Sequence, residues 1–348
     1  MKIVLSIDGG GIRGIIPAAI LAYLEEKIQK VTEDNRIRLA NYIDFVAGTS
    51  TGSIIGAMML LPDKNKKFKY PQYSLDEIKQ MYIELGERVF EKKIKHNIKT
   101  LWGIFGPRFP DSNIEQPLLK YMDHIKMKDL IKPCMFSGYD IDKRQVNFYT
   151  NSDESEKYCN CYIKDIVRGS TAIPSYFSPA YFKECTNINT IIDGGVFANN
   201  PSLAAFIEIS KTLFREEDFK KRKFNTNDIL IISLGTGDFK QKSYKYSNTK
   251  RWGKAQWLMP VIDVLLTSHA EVTNYEMEKI FSSNNSNHNY KRINPPIILG
   301  SSNALDASKE NLILLLKDVN NYIEENKELL NTLAREICDI NFLRVISL

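Results

Sequence analysis

The ten residues Ile43-Asp44-Phe45-Val46-Ala47-Gly48-Thr49-Ser50-Thr51-Gly52 constrain this chain more than any other stretch. A short apolar run of strand character ends in Gly-x-Ser-x-Gly, and Ile54, Ile55, Met58 and Met59 follow with helical periodicity. The predicted unit is therefore strand, sharp turn, helix. So tight a turn brings the backbones of its two flanks together, which requires residues without a Cβ two before and two after the serine. Gly48 and Gly52 meet that need. The serine hydroxyl is then held at a helix N-terminus, where free N–H groups and the helix dipole favour developing negative charge.

A second glycine-rich turn opens the chain. Ile3 to Ile7 reads as a buried strand and ends in Asp8-Gly9-Gly10-Gly11-Ile12-Arg13-Gly14, after which Pro17 is predicted to open a helix with Ile20, Leu21, Leu24 and Ile28 on one face. Backbone N–H groups converging between a strand and a helix N-terminus make an anion site. Two anions compete for it. Gly9-x-Gly11-x-x-Gly14 satisfies the dinucleotide fingerprint, with Glu33 or Asp34 at about the expected spacing of ~20 residues. The other candidate is the transient alkoxide of a tetrahedral intermediate. The second reading is preferred because the serine turn opens the very next strand–helix unit.

At 348 residues and 43% hydrophobic content the chain can bury a large core. Strand-like and helix-like runs alternate to about Leu234 with no linker or repeat between them. The expectation is a single α/β domain over residues 1–348, with a core of about 1–240 and a helical C-terminal part of about 250–348. Its net charge of +5 is too small and dispersed for a nucleic-acid binder. Five cysteines, an odd number in a long chain, imply no disulfide framework and favour a reducing compartment; Cys159-Asn160-Cys161 lacks zinc-site spacing and reads as structural. Met1 leads straight into the first strand, and no stretch approaches the ~20 apolar residues of a membrane span. A soluble protein without signal peptide or transmembrane segment is expected, cytoplasmic or leaderless in secretion, with any membrane contact peripheral.

Further along, Ser74-Leu75-Asp76-Glu77 is a capping box for a helix through Val89. The cationic run Lys92 to Lys99, followed by Leu101 to Pro107, and the basic-aromatic stretch Lys240 to Lys254 are two candidate membrane-facing segments; a solvated face is the plainer reading of each. Cys134 to Ile141 and Gln145 to Tyr149 are predicted strands joined at Asp142-Lys143. A helix from Ile163 leads to Ser170-Thr171-Ala172-Ile173-Pro174. The strand end Ile188 to Ile192 precedes Asp193-Gly194-Gly195, and Asn200 and Pro201 suit the N-cap and first position of a helix. Ile229 to Leu234 is another buried strand, closed by Gly235-Thr236-Gly237. Long helices follow near Trp257 to Phe281, Ser308 to Asn326 and Lys327 to Ile337, separated by polar and proline-containing stretches.

A serine nucleophile needs a base. The chain has four histidines, His96, His124, His269 and His288, and none has the strand-end or glycine-turn context that presents a catalytic imidazole. Taken alone, Asp193 is more often a turn residue than a base, yet two glycines at a strand end free it to face a cleft. A two-residue device, Asp193 taking the proton from Ser50 directly, is preferred.

Asp8-Gly9-Gly10-Gly11-Ile12-Arg13-Gly14, Gly48-Thr49-Ser50-Thr51-Gly52 and Asp193-Gly194-Gly195, in that order, resemble the three signature blocks of the patatin-like phospholipase family. Ile104-Phe105-Gly106-Pro107-Arg108, Ser170 to Phe177, Ser233-Leu234-Gly235-Thr236-Gly237 and Leu305-Asp306-Ala307-Ser308 are similar to segments of plant patatins, so the resemblance covers nearly the whole chain. It implies a three-layer fold with a mostly parallel central sheet flanked by helices. It further implies Ser50 as nucleophile, Asp193 as base, an oxyanion hole from Gly9, Gly10 and Gly11, and Asp8, Arg13, Gly14, Gly48, Thr49, Thr51, Gly52, Gly194 and Gly195 in support. The implied chemistry is hydrolysis of acyl esters of phospholipids, lysophospholipids or galactolipids through an acyl-enzyme, without metal or cofactor. Acyl transfer to an alcohol would use the same residues. A catalytically idle storage or interaction protein, and a nucleotide enzyme using the first glycine loop, are the competing readings.

Overall fold

A computed structural model describes residues 1–63, 65, 70–91, 106–152, 157–182, 190–215, 225–239 and 244–346. The cationic run Lys92 to Lys99, the stretch Leu101 to Phe105 and residues 240–243 of the basic-aromatic stretch lie outside the described residues.

The strands are β1 (Lys2–Ile7), β2 (Phe45–Gly48), β3 (Cys134–Asp140), β4 (Gln145–Thr150), β5 (Ala180–Tyr181), β6 (Thr190–Asp193), β7 (Ile229–Leu234) and β8 (Tyr290–Ile293). They form one sheet in the order β5-β6-β3-β2-β1-β7-β8, with β4 paired to β3. From β3 to β8 every pair on this path is parallel, and β4, β5 and β6 add antiparallel pairs. Every residue of β7, and Ile3 to Ile7 of β1, is buried. These two strands lie inside a parallel sheet covered on both faces, so they read in the sequence as nearly continuous apolar runs, interrupted by Ser6 and Ser233.

The main helices are α1 (Ile15–Thr32), α2 (Thr51–Leu60), α3 (Leu75–Val89), α4 (Ser112–Met122), α5 (Ile163–Ser170), α6 (Ser202–Arg215), α7 (Lys254–Ser283), α8 (Lys309–Glu325) and α9 (Lys327–Ile346). Side-chain alternation along β1 assigns the layers. Ile3, Leu5 and Ile7 join a core built with α1, α2, α3, α8 and α9, whereas Val4 joins Phe45, Ala47 and Ile231 in a second core closed by Ile209 of α6 and Met277 and Phe281 of α7. Helices thus cover both faces, and the expected three-layer α/β architecture with C-terminal helical additions is what the chain forms. Among the described residues no helix is long and apolar enough to cross a membrane.

Local sequence signals hold in detail at several ends. Ser74 and Glu77 make the reciprocal capping box at the start of α3. Other expectations need correction. The first helix begins at Ile15, after a 3-10 turn over Gly11–Gly14, so Pro17 occupies its third position, where an N–H has no intrahelical acceptor in any case. The helix after Asn200 starts at Ser202: the Asn200 side chain accepts from Ser202 N–H at 3.0 Å, and the Pro201 carbonyl accepts the first helical bond from Ala205. Residues 290–293, between the polar stretch Ser282 to Asn289 and Asn294-Pro295-Pro296, carry no sequence assignment and form β8. Finally, Cys161 is disulfide-bonded, while Cys134 and Cys338 are free thiols. An odd cysteine count leaves room for a single bridge, which the reading of Cys159-Asn160-Cys161 and of the cysteine count does not anticipate.

Candidate active site

Strand register brings Ser50 and Asp193 together. Along β3, β4 occupies one edge from Met135 to Asp140. The other edge is shared: β2 pairs there as far as Gly48 opposite Phe136, and β6 pairs from the opposite direction as far as Asp193 opposite Gly138. The two strands therefore meet head to head, two β3 residues apart; β6 ends in Asp193, and Ser50 lies two residues beyond the end of β2.

The turn after β2 has the geometry its glycines imply. Ser50 sits at φ 53°, ψ −119° as the residue before α2, a conformation costing a non-glycine residue on the order of 1–3 kcal/mol. A Cβ at Gly48 would lie 2.4 Å from the Gly52 carbonyl oxygen, and one at Gly52 would lie 2.1 Å from that of Ile7. The strain is held by neighbours. Ser50 N–H donates to Ser170 Oγ at 3.0 Å, and the hydroxyl of Ser53 donates to the Ser50 carbonyl at 2.5 Å. Thr49 Oγ1 shares a 2.7 Å bond with Ser137 Oγ and donates to the Ala198 carbonyl at 2.7 Å, tying the turn to the segment after Asp193.

Asp193 is 2% exposed and Ser50 is 5% exposed. The Asp193 backbone N–H donates to the Ala172 carbonyl, and Oδ1 accepts from Gly195 N–H at 2.7 Å. Oδ2 is buried with no hydrogen bond of ordinary geometry. Burial pushes the carboxyl up to about 7; the nearby Ser50 hydroxyl and then the Gly195 N–H oppose that rise. A carboxyl near neutrality with one free oxygen, beside a serine hydroxyl, is suited to exchange a proton with it. Gly194 packs where a Cβ would be 2.1 Å from Ser137 Oγ. Of the described histidines, His124 and His288 are exposed and His269 is half-buried on α7; none is hydrogen-bonded to Ser50 or Asp193.

The first glycine loop lies alongside, a Cβ at Gly9 falling 3.2 Å from Ser50 Cβ. Of the three glycine N–H groups expected to act as donors, one is already engaged. Gly9 N–H donates to the Asn199 carbonyl at 3.0 Å and is occupied, whereas the N–H groups of Gly10 and Gly11 have no acceptor among the described residues. The loop is pinned around them: Asp8 N–H to the Leu234 carbonyl, Ile12 N–H to the Ala304 carbonyl at 2.8 Å, and Thr236 Oγ1 to the Gly9 carbonyl at 2.9 Å. Gly11 has φ +59°. Arg13 reaches back to the Gly10 carbonyl through Nε and lies over the Phe239 ring, and Gly14 packs on Thr51. The dinucleotide reading loses its acid: Glu33 is the left-handed cap of α1 and Asp34 pairs with Arg36, both away from the end of β2.

Sequence reasoning missed three residues here. Arg292 of β8 grips Asp8 with both guanidinium arms, and its Nη1 also donates to Ser233 Oγ. Tyr82 of α3 links the two turns, its hydroxyl bonded to Thr51 Oγ1 and donating to the Gly11 carbonyl. Ser170 holds the Ser50 amide. Only Ser170 carried a signal, as part of the patatin-like segment Ser170 to Phe177. An apolar cavity opens from Ser50 and Gly11 and runs between α2, α3 and α4, lined by Ile54, Met58, Met81, Phe90 and Leu118 among others.

A family model described as patatin-like phospholipase matches residues 5–206. The chain is 32% identical over 338 residues to patatin-like protein 2 of Oryza sativa subsp. indica, covering 91% of this chain and 82% of that protein. It is 30% identical over 332 residues to patatin-like protein 4 of Arabidopsis thaliana, covering 91% and 81%. A third relative, at 28% identity over 357 residues and covering 100% and 93%, is named probable inactive patatin-3-Kuras 1, from Solanum tuberosum.

Proposed function

The chain belongs to the patatin-like phospholipase family, and from that premise we propose that it is a serine acyl hydrolase of the phospholipase A or lysophospholipase type, working through a Ser50–Asp193 dyad. The observation that carries this reading is the buried Asp193 carboxyl, one oxygen engaged by Gly195 and the other without a donor, at the end of the strand that meets the Ser50 turn.

In the proposed cycle Asp193 Oδ2 takes the hydroxyl proton as Ser50 Oγ attacks the ester carbonyl carbon. The carbonyl electron pair moves to oxygen, and the alkoxide is held by the N–H groups of Gly10 and Gly11. Collapse breaks the bond to the leaving alcohol, which receives the proton from Asp193 and departs, leaving the acyl group on Ser50. Water then attacks, Asp193 accepts its proton and returns it to Ser50 Oγ, and the fatty acid is released. Transfer to a second alcohol in place of water follows the same path.

The apolar cavity beside Ser50 fits a fatty-acyl chain, and membrane phospholipid, lysophospholipid or galactolipid is the proposed substrate, met by peripheral contact. We take the whole chain as one acyl hydrolase unit, because the loop before α8 supplies the Ala304 carbonyl that pins the glycine loop. The test is mass spectrometry of products from mixed vesicles of phosphatidylcholine, lysophosphatidylcholine and galactolipid. Fatty acid release by the native chain, and none by Ser50→Ala, is expected. A folded native chain that released no fatty acid from these or from short-chain esters would favour the idle storage or interaction protein.

A further inference from the structure

Helix α7 carries apolar residues on two faces. Its C-terminal half buries Met277 and Phe281 beneath the sheet, Phe281 meeting Phe206 of α6 edge-on at 5.6 Å. Its N-terminal half differs. From Trp257 to Leu266 the only charge is Asp263, and none of the described side chains from Lys254 to Leu266 is fully buried. The inner edge, Ile262, Leu265 and Leu266, closes over Asp193 and Val196. On the outer face Trp257, Val261 and Val264 are 39%, 42% and 44% exposed, and their spacing of four and three residues makes a single stripe. A surface helix ordinarily turns polar residues to water on that side.

Charge says what covers the stripe. Between Phe239 and Ile262 the sequence has six cations and no acid. Of these, Lys245, Lys250, Arg251 and Lys254 are described, and all four are exposed and outside any ion pair. Tyr246 is 80% exposed beside them, and Trp252 packs edge-on against Trp257 at 5.1 Å. Beyond Ser268 the pattern reverses, with exposed Glu271 and Glu276 flanking Val272 and Tyr275.

We infer that the outer face of the first half of α7, with the cations that precede it, is the surface by which this protein docks on an anionic lipid bilayer. Trp257, Val261 and Val264 enter the headgroup boundary while the cations meet lipid phosphates. The acidic flank confines the contact to that half. Docking there puts lipid against the element that closes over Asp193. The inference rests on the lipid hydrolase reading, and its test separates the two.

Sedimentation with vesicles of phosphatidylcholine plus phosphatidylglycerol, using the full chain carrying Ser50→Ala so that lipid stays intact, reads docking alone. Adding Val261→Asp and Val264→Asp is expected to weaken binding about tenfold or more. Adding Lys250→Gln, Arg251→Gln and Lys254→Gln instead should weaken binding to these vesicles, leave binding to pure phosphatidylcholine unchanged, and flatten the salt dependence. With Ser50 restored, both sets should hydrolyse a short-chain soluble ester within about twofold of the native rate, the control that they fold. Unchanged sedimentation of both correctly folded variants overturns the inference. So does conversion of a dimer to a monomer by the aspartates with vesicle binding intact, which would assign the face to a second copy. Vesicle binding lost as expected by a chain that hydrolyses no ester would uphold the docking surface and remove the hydrolase reading instead.

Discussion

Asp8 and Arg292 lie 284 residues apart in sequence and form a two-armed ion pair, Nη1 to Oδ1 at 2.9 Å and Nη2 to Oδ2 at 2.6 Å, at the start of the glycine loop. Burial raises the Asp8 carboxyl and Arg292 opposes the rise, so the pair depends on its geometry. Arg292→Met leaves a buried carboxylate without its paired cation and is expected to cost about 3–5 kcal/mol at pH 8. The loss should shrink toward acid pH, where Asp8 protonates. Arg292→Lys keeps the charge but not the fork and should fall between. Urea denaturation at both pH values checks this; an Arg292→Met chain as stable as the native one at pH 8 would make the pair incidental.

As the proposed base, Asp193 should set the pH dependence. As a base it acts only when ionised, so kcat/KM on a soluble ester should rise about tenfold per pH unit up to about 7 and level above it. Its effect on stability has the opposite sense. A carboxyl held near 7 in the fold and near 4 in the unfolded chain favours the folded state at low pH, and that contribution is lost as pH rises through 7. Asp193→Asn should therefore be inactive by about 10²-fold or more yet more stable than the native chain at pH 8, by up to about 4 kcal/mol, with the gain vanishing near pH 4. A flat rate profile between pH 5 and pH 8 would remove Asp193 from the role of base.

The glycine loop should act on turnover. An alanine at Gly11 must adopt φ +59° and would set a Cβ 2.2 Å from the Ala304 carbonyl oxygen, shifting a proposed donor to the alkoxide. Loss of a donor costs roughly 10²–10³ in rate, and since the charge exists only in the transition state, kcat should fall with KM little changed. Steady-state kinetics on the folded fraction decides it. A rise in KM alone would mark the loop as a substrate-binding element.

The histidines should matter little. His288 is exposed and His269 lies half-buried along α7, so replacing either by Gln should reduce kcat less than about tenfold. A folded but inactive His269→Gln chain would restore a three-residue triad.

The parts of this fold legible in the sequence are those with local causes. β1 and β7 announce themselves because burial on both faces leaves mostly apolar residues. Ser50 and Asp193 are legible through the glycines that their turns demand. What was hidden depends on partners distant in sequence. Tyr-Lys-Arg-Ile at 290–293 looks like the tail of a polar loop, and becomes β8 only because β7 offers an edge and Asp8 a counter-ion. Nothing near Gly9 shows that its N–H will be spent on Asn199. Tyr82 reads as one more residue on an amphipathic helix until α3 is laid across both turns.

The most direct measurement is covalent labelling of the native chain with a fluorophosphonate, the adduct located by mass spectrometry and compared with the rate of fatty acid release. The expected result is a single phosphonylated residue, Ser50, with hydrolysis lost in proportion to labelling and both abolished in a folded Ser50→Ala chain. Labelling at another residue, or fatty acid release that survives in Ser50→Ala, would contradict the dyad.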